Sequence, residues 1–522
     1  MSRVTHHAGR FISAVVLLAV LLAGCAKSQP EPKTVAVLDP ALTKQVTLNG
    51  QLVTTNGEDM ISPDGKYLLA GIRGKPAETM SAIPIQGGPA QGEPAADPAT
   101  GAGDAEPIVL YSVDSFWTRY NLVQWYPVGW LSNTKCAFIV HGWQSQGEHK
   151  GERGAAIFTA DLETKTSTMI GYVPVSEQGQ MIDSAALSGN GKMYMRVRRK
   201  LWEINVATGD IRLVRGDLNE DYGISTSAMS PTGTHLAYEV YQEAKSGIFL
   251  IDLSTGEEKV LIPDLDSLSF FPAWSPDGKY VAAYTVQKLP PESPEESVPR
   301  YNFIPGEDGP MSSGQAITVV DLDGNVVKTI TVEGRYLSHF AWLSDSESLV
   351  YLAGPVAFGK WGEVTSFEYA TAHIASVSQD APVKVADISE IEKQTGEHTA
   401  WVFPVGSLPE GKGALLDVAG AEGASVWRVS TSSEPAKVTD GWWQTARLMP
   451  EYLDSVAGVV GGGEQTGLWL VGDTATQFET CPSGTGIAAY NGELLVVESY
   501  DFPTDETRVA VYDMISEKVV EE

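Results

Sequence analysis

Eight histidines, three cysteines and 66 acidic residues are the raw material for chemistry in this 522-residue sequence, and their spacing argues against most of it. His141, His149, His235, His339, His373 and His398 stand apart, with no HxH or HExxH pair that would hold a metal. Gly223-Ile224-Ser225-Thr226-Ser227 approaches the G-x-S-x-G elbow of an acyl-transfer nucleophile but lacks the closing glycine. Gly461-Gly462-Gly463 has no following Lys-Ser/Thr to complete a phosphate loop. Asp321-Leu322-Asp323-Gly324-Asn325 starts like a calcium loop, but Val332 stands where the bidentate glutamate belongs. No CxxC pair offers a zinc site. Cys136, in the apolar run Lys135-Cys136-Ala137-Phe138-Ile139-Val140, reads as a buried thiol, and Cys481 precedes Pro482 in a turn. A disulfide between them is open to an exported chain if the fold brings them together. Neither a metal nor a cofactor is expected. The aromatic residues are the remaining lead. Trp442 and Trp443 are adjacent, and neighbours on a strand point to opposite faces, so at least one is expected at the surface, where it can stack on a sugar or clamp a peptide.

Charge narrows the partners. Against 66 acids stand 36 basic residues, a formal charge of −30. Such a surface repels phosphate backbones and anionic headgroups, so nucleic acid is not an expected partner. The N-terminus has a different character. Arg3 and Arg10 precede the apolar run Phe11 to Leu22, which is too short for the roughly 30 Å hydrocarbon core and fits a signal peptide better than a spanning helix. The run ends in Leu22-Ala23-Gly24-Cys25, which resembles the lipobox of bacterial lipoproteins. That resemblance implies cleavage between Gly24 and Cys25 and a diacylglycerol thioether on Cys25. The expected organisation is a signal peptide over 1–24, a lipidated cysteine and polar tether over 25–34, and a folded body from 35 to 522 facing the extracytoplasmic side of a bacterial envelope. Contact with the membrane would run through the acyl anchor alone.

The body is repetitive. Ser62-Pro63-Asp64-Gly65-Lys66-Tyr67 recurs as Ser275-Pro276-Asp277-Gly278-Lys279-Tyr280, with looser copies at Ser230-Pro231-Thr232-Gly233 and Ser188-Gly189-Asn190-Gly191-Lys192. Proline and aspartate shape a tight turn, and glycine takes the left-handed position that returns the chain. A second signature follows each copy, as in Ile251-Asp252-Leu253-Ser254-Thr255-Gly256-Glu257. Two hairpins per period of about 40–45 residues make a four-stranded unit that must stack on copies of itself. The pairing resembles TolB-like and WD40-like β-propeller repeats and the propeller domain of prolyl-oligopeptidase-type enzymes. After the last repeat no length remains for the hydrolase domain of the latter.

The fold expected is therefore all-β, a single β-propeller of four-stranded blades. Nine candidate modules can be marked, the last starting near Trp401, Trp443 and Gly484. With some taken as half-blades, seven or eight blades result, eight preferred. Val35 to Asp39 is expected to be an outer strand closing the last blade. Two stretches interrupt the period: 75–107, rich in Pro, Gly and Ala and expected to be disordered, and the Pro-rich loop 287–315, read as a spacer or as a lid over one face. A short surface helix is expected near 386–394. Trp274 and Trp342, each just before a repeat turn, are expected to wedge between blades. The function expected is a non-catalytic binding or scaffold protein for a protein or envelope polymer, with a hydrolase or lyase using carboxylates in the central funnel as the alternative.

Overall fold

The repeat turn has a clear local logic. Ser62 Oγ accepts hydrogen bonds from the backbone N–H of Lys66 and Tyr67 and donates to Asp64 Oδ1, while Gly65 sits at φ 69°. Ser275, Asp277 and Gly278 repeat this arrangement, with Gly278 at φ 72°. The second signature is an Asx turn: Asp252 Oδ1 accepts from the N–H of Ser254 and Thr255, and Gly256 at φ 76° sends the chain back. The calcium-like run at Asp321 is the same device, its carboxylate being taken up by the N–H of Asp323 and Asn325.

These hairpins build nine antiparallel sheets, each laid out from an inner to an outer strand. The structure is a computed structural model that describes residues 33–520, apart from internal stretches of which the longest are 86–105, 113–123, 217–226, 290–299 and 446–455. Residues 1–32, with Cys25, lie outside the described residues. Blades 1 to 8 occupy 51–112, 124–174, 184–215, 227–263, 267–331, 336–387, 401–440 and 442–480. Blade 9 consists of Thr485–Tyr490, Leu494–Asp501 and Glu506–Val520, with Lys33–Asn49 as its outer strand. The expected outer strand at Val35 to Asp39 is thus present, and it is longer than the sequence suggested.

Nine blades replace the seven or eight expected. The modules taken as half-blades are full ones whose turns changed letters but kept their bonds. In blade 6, Leu343 N–H bonds Ser348 O, and Ser346, at φ 61°, stands where glycine stood. In blade 7, Leu408 N–H bonds Gly413 O around Gly411 at φ 66°.

Within 75–107, Thr79–Pro84 is the third strand of blade 1, and Ile108–Ser112 is the fourth; residues 86–105 of that stretch lie outside the described residues. The stretch 287–315 is not a plain spacer. It leaves the end of the second strand of blade 5 (Tyr280–Leu289), carries a small pairing of Pro305–Gly306 with Gly309–Pro310, and adds Ser313–Gly314 to the inner edge of blade 6. The expected helix is Ile388–Thr395, which buries Ile388 and Ile391 and ends at Gly396 with φ 78°. Cys136 is wholly buried in blade 2 and Cys481 follows blade 8; both are free thiols, so no disulfide joins them.

Contacts between blades explain why certain aromatics recur. Trp130 Nε1 donates to Met60 O (2.9 Å), Trp274 Nε1 to Ala228 O (2.8 Å) and Trp342 Nε1 to Ala273 O (3.1 Å), in each case reaching the preceding blade. The residue after the preceding blade's turn packs on the same indole: Tyr67 on Trp130, His235 on Trp274 and Tyr280 on Trp342. The repeat is thus an inter-blade latch, and Trp274 and Trp342 are wedges as expected. Trp274→Ala should destabilise by about 3–5 kcal/mol, as large-to-small core changes do, whereas Trp274→Phe should lose nearer 1 kcal/mol with the hydrogen bond. Urea unfolding of the two variants checks the ranking, and equal losses would contradict the latch.

Candidate functional site

The inner strands of blades 5, 6 and 7 are not regular. Ser267–Trp274 slips register between Phe270 and Ala273, Tyr336–Trp342 between Ser338 and Ala341, and Trp401–Ser407 between Pro404 and Gly406. At two of these bulges a bulky residue takes the left-handed conformation: Phe271 at φ 55° and His339 at φ 47°. Such a conformation costs on the order of 1–3 kcal/mol per residue and tends to mark binding or catalytic positions. A bulge also re-aims a side chain off the ladder.

The re-aimed side chains enclose a cleft of about 290 Å³ lined by Phe271, Pro272, Ala273, Tyr284, His339, Phe340, Phe403 and Pro404. Its aromatic rings form two contacting sets. Phe271 meets Tyr284 edge-on at 6.3 Å, and Tyr284 meets Phe340 at 4.7 Å and 70°. His339 meets Phe403 at 4.4 Å and 72°, and Phe403 lies nearly parallel to Trp401 at 6.2 Å. Trp401 is 49% exposed, so the series of rings runs from the cleft into solvent.

The polar equipment is sparse and uncharged at neutral pH. Burial pushes the His339 imidazole down to about 4, and its Nδ1 lies 2.6 Å from Ser338 Oγ. Tyr284 Oη accepts the Phe340 N–H at 2.8 Å, and burial drives its phenol well above the ordinary range. The walls therefore select by shape and by ring stacking, with the histidine as the neutral polar point.

Trp442 and Trp443, expected as binding residues, divide as strand alternation requires. Trp442 is 46% exposed, while Trp443 is buried at 4% among Leu408, Leu415 and Trp469. Trp442 opens the inner strand of blade 8 as Trp401 opens that of blade 7, and those two strands touch. Trp442 thus belongs beside the aromatic series as an outlying member, and Trp443 belongs to the core.

Two carboxyls outside the cleft are shifted. Burial pushes Asp417, in blade 7, and Glu498, in blade 9, up to about 7. Each stands four residues beyond the residue whose carbonyl closes its blade's repeat turn, Gly413 or Leu494. Tyr284, Glu239 and Arg196 hold the same place in blades 5, 4 and 3. The role of that place is visible twice: Tyr284 accepts the N–H of Phe340 in the next blade, and Asp417 accepts the N–H of Trp443 in the next blade at 3.1 and 3.2 Å. Asp417 is a latch between blades. Among the described residues no group of three His, Cys, Asp or Glu side chains is placed to hold a metal.

Sequence reasoning missed the cleft because its residues come from three blades. The signal was faint but present: Phe270-Phe271-Pro272, His339-Phe340 and Phe403-Pro404 each put aromatics into an inner strand a few residues before its turn.

No protein-family model and no curated protein sequence matches the chain. Among solved structures it is similar to an oligogalacturonate lyase from Vibrio parahaemolyticus, at 11% identity and TM-score 0.35, over 70% of this chain and 94% of that one. It is similar to TolB from Acinetobacter baumannii at 11% identity and TM-score 0.27, over 74% and 82%. It is also similar to the Pyrococcus horikoshii acylaminoacyl peptidase at 13% identity and TM-score 0.34, covering 73% of this chain and 50% of that one.

Proposed function

We propose that the chain is a lipid-anchored β-propeller on the extracytoplasmic side of a bacterial envelope, and that it binds an extended segment of a partner protein in the aromatic cleft of blades 5 to 7. The observation that carries the reading is a cleft lined by two sets of rings, Phe271–Tyr284–Phe340 and His339–Phe403 with the exposed Trp401, built on two strained bulges. Aromatic-lined grooves suit extended peptides, and a proline-rich one, preformed as polyproline II, meets them with little loss of chain entropy. The formal charge of −30 favours a cationic segment.

Panning a random-peptide library on the mature chain, with an oligosaccharide array beside it, tests this. Selected peptides should be basic, and Phe403→Ala should weaken them tenfold or more, about 1.4 kcal/mol, which is within the range of an interface anchor. Trp401→Ala should weaken them less, because its ring is half in solvent. Selection of sugars instead of peptides would overturn the choice of partner. Turnover of any probe that disappears in Asp417→Asn would favour the hydrolase or lyase reading.

A further inference from the structure

The closing blade says which way the propeller stands on its anchor. Its third strand, Glu506–Val520, is longer than the blade. It pairs with the second strand from Glu506↔Asp501 to Asp513↔Leu494, and with Lys33–Asn49 along its whole length. Among the described residues, 515–520 pair only with 33–38, from Leu38↔Ile515 to Lys33↔Val520. These rows form a two-stranded ribbon projecting past the edge of the blade. At about 3.3 Å per residue, six residues give it a reach of roughly 20 Å.

Its direction follows from register. The ribbon leaves at Leu494, beside the tight turn in which Asn491 N–H bonds Leu494 O, the counterpart of the Ser-Pro-Asp-Gly turns. The projecting end therefore lies on the face that carries those turns. The opposite face is where inner strands begin and second strands end, as Ser267↔Gln287 and Trp401↔Ala419 show. On that face sit Trp401 and Trp442, the pairing of Arg300–Tyr301 with Lys288 and Leu289, and the hairpin of Val356–Phe358 with Val364–Phe367.

We propose that the repeat-turn face is turned towards the lipid surface and that the face bearing Trp401 and Trp442 points away from it, with the ribbon as a rigid standoff. This rests on the reading of Cys25 as the acylated residue. Cys25 precedes Lys33 by only eight residues, which span at most about 28 Å when fully extended, so the anchor stays close to the ribbon's free end. Three acids on the turn face are paired: Asp64 with Lys66 at 3.0 Å, Asp277 with Lys279 at 2.8 Å and Asp161 with Lys135 at 3.5 Å. The rest of the outer strand, Ala41–Asn49, at about 3.3 Å per residue adds some 30 Å of blade height, which sets the ligand-facing surface well clear of the bilayer.

Energy transfer from the protein to headgroup-labelled lipid tests the orientation. The acylated full chain with Cys481→Ser is labelled either at Thr232→Cys, in an exposed repeat turn, or at Glu333→Cys, in the exposed connection between blades 5 and 6 on the other face. Each is reconstituted into phosphatidylethanolamine–phosphatidylglycerol vesicles. Transfer from position 232 should exceed that from position 333 several-fold. Equal or reversed transfer, with flotation on the vesicles still dependent on Cys25, would overturn the orientation and leave the anchor standing. Flotation that survives Cys25→Ser, or none at all in the unsubstituted chain, would overturn the anchor reading and the orientation with it.

Discussion

Replacing Asp417 by asparagine is expected to stabilise the folded chain at pH 8 by about 2–4 kcal/mol, since a shift of some three pKa units corresponds to about 1.4 kcal/mol each. Its carboxyl lies at about 7 in the folded protein because burial, at 4% exposure, penalises the charged form more than the Trp443 N–H favours it. In the unfolded chain an aspartate lies near 4. The folded state thus holds this proton where the unfolded state has released it. The stability it contributes is fully present below about pH 4, declines between pH 4 and 7, and is gone above. Asparagine keeps an oxygen for the Trp443 N–H and never ionises, so the advantage of the variant should vanish on acidification to pH 4. Urea unfolding at pH 4, 5.5 and 8 measures this. A variant that is destabilised at pH 8 and matches the parent at pH 4 would show that the charge itself, rather than the neutral latch, is what the fold requires. Glu498, also raised to about 7, should keep part of the slope in Asp417→Asn, and Asp417→Asn/Glu498→Gln should flatten most of it.

The second large effect is at the closure of the ring. Val46, 3% exposed and paired with Val509, packs with Leu48, Leu68, Ile83, Ile85 and Val496, so the N-terminal strand joins blade 9 to blade 1. Val46→Asp puts a carboxylate into that cluster and should cost about 3–5 kcal/mol or more, in the range of buried unpaired charges. Thr47→Asp, one residue on and facing solvent, should change stability by less than about 0.5 kcal/mol. Unfolding midpoints of the two, with proteolysis of the 33–49 segment as a second readout, check the contrast. Equal effects would mean that the strand does not close the ring through its inner face.

The turn chemistry made most of the architecture legible. Ser, Pro, Asp and Gly each have a reason to stand where they do in blades 1 and 5, as do Ser, Pro and Gly in blade 4, and the tryptophans before the turns were rightly read as wedges. Blade number escaped because turn geometry tolerates other letters: Ser346 adopts the positive φ that Gly278 supplies elsewhere, and Leu343 replaces the capping serine. The Ala- and Pro-rich composition of 75–107 hid Thr79–Pro84, whose Met80, Ala82 and Ile83 are wholly buried between blades. The cleft was less legible still. Phe271, His339 and Phe403 lie more than sixty residues apart, and a bulge at a phenylalanine or a histidine leaves no compositional trace. The exposure of Trp442 was accessible because alternation along a strand is a local property.

The closing ladder also sets a timetable. Lys33–Asn49 leaves the ribosome early, and its partner Glu506–Val520 leaves near the end. Pairing at such sequence separation is slow, and until it happens a 17-residue strand has both edges unsatisfied and open to any passing chain. Blades 1 to 8 can assemble as they emerge, but the circle cannot. For this protein the hazardous interval is therefore the one just before synthesis ends, when nearly everything is folded and the outer strand of the last blade still waits for its partner.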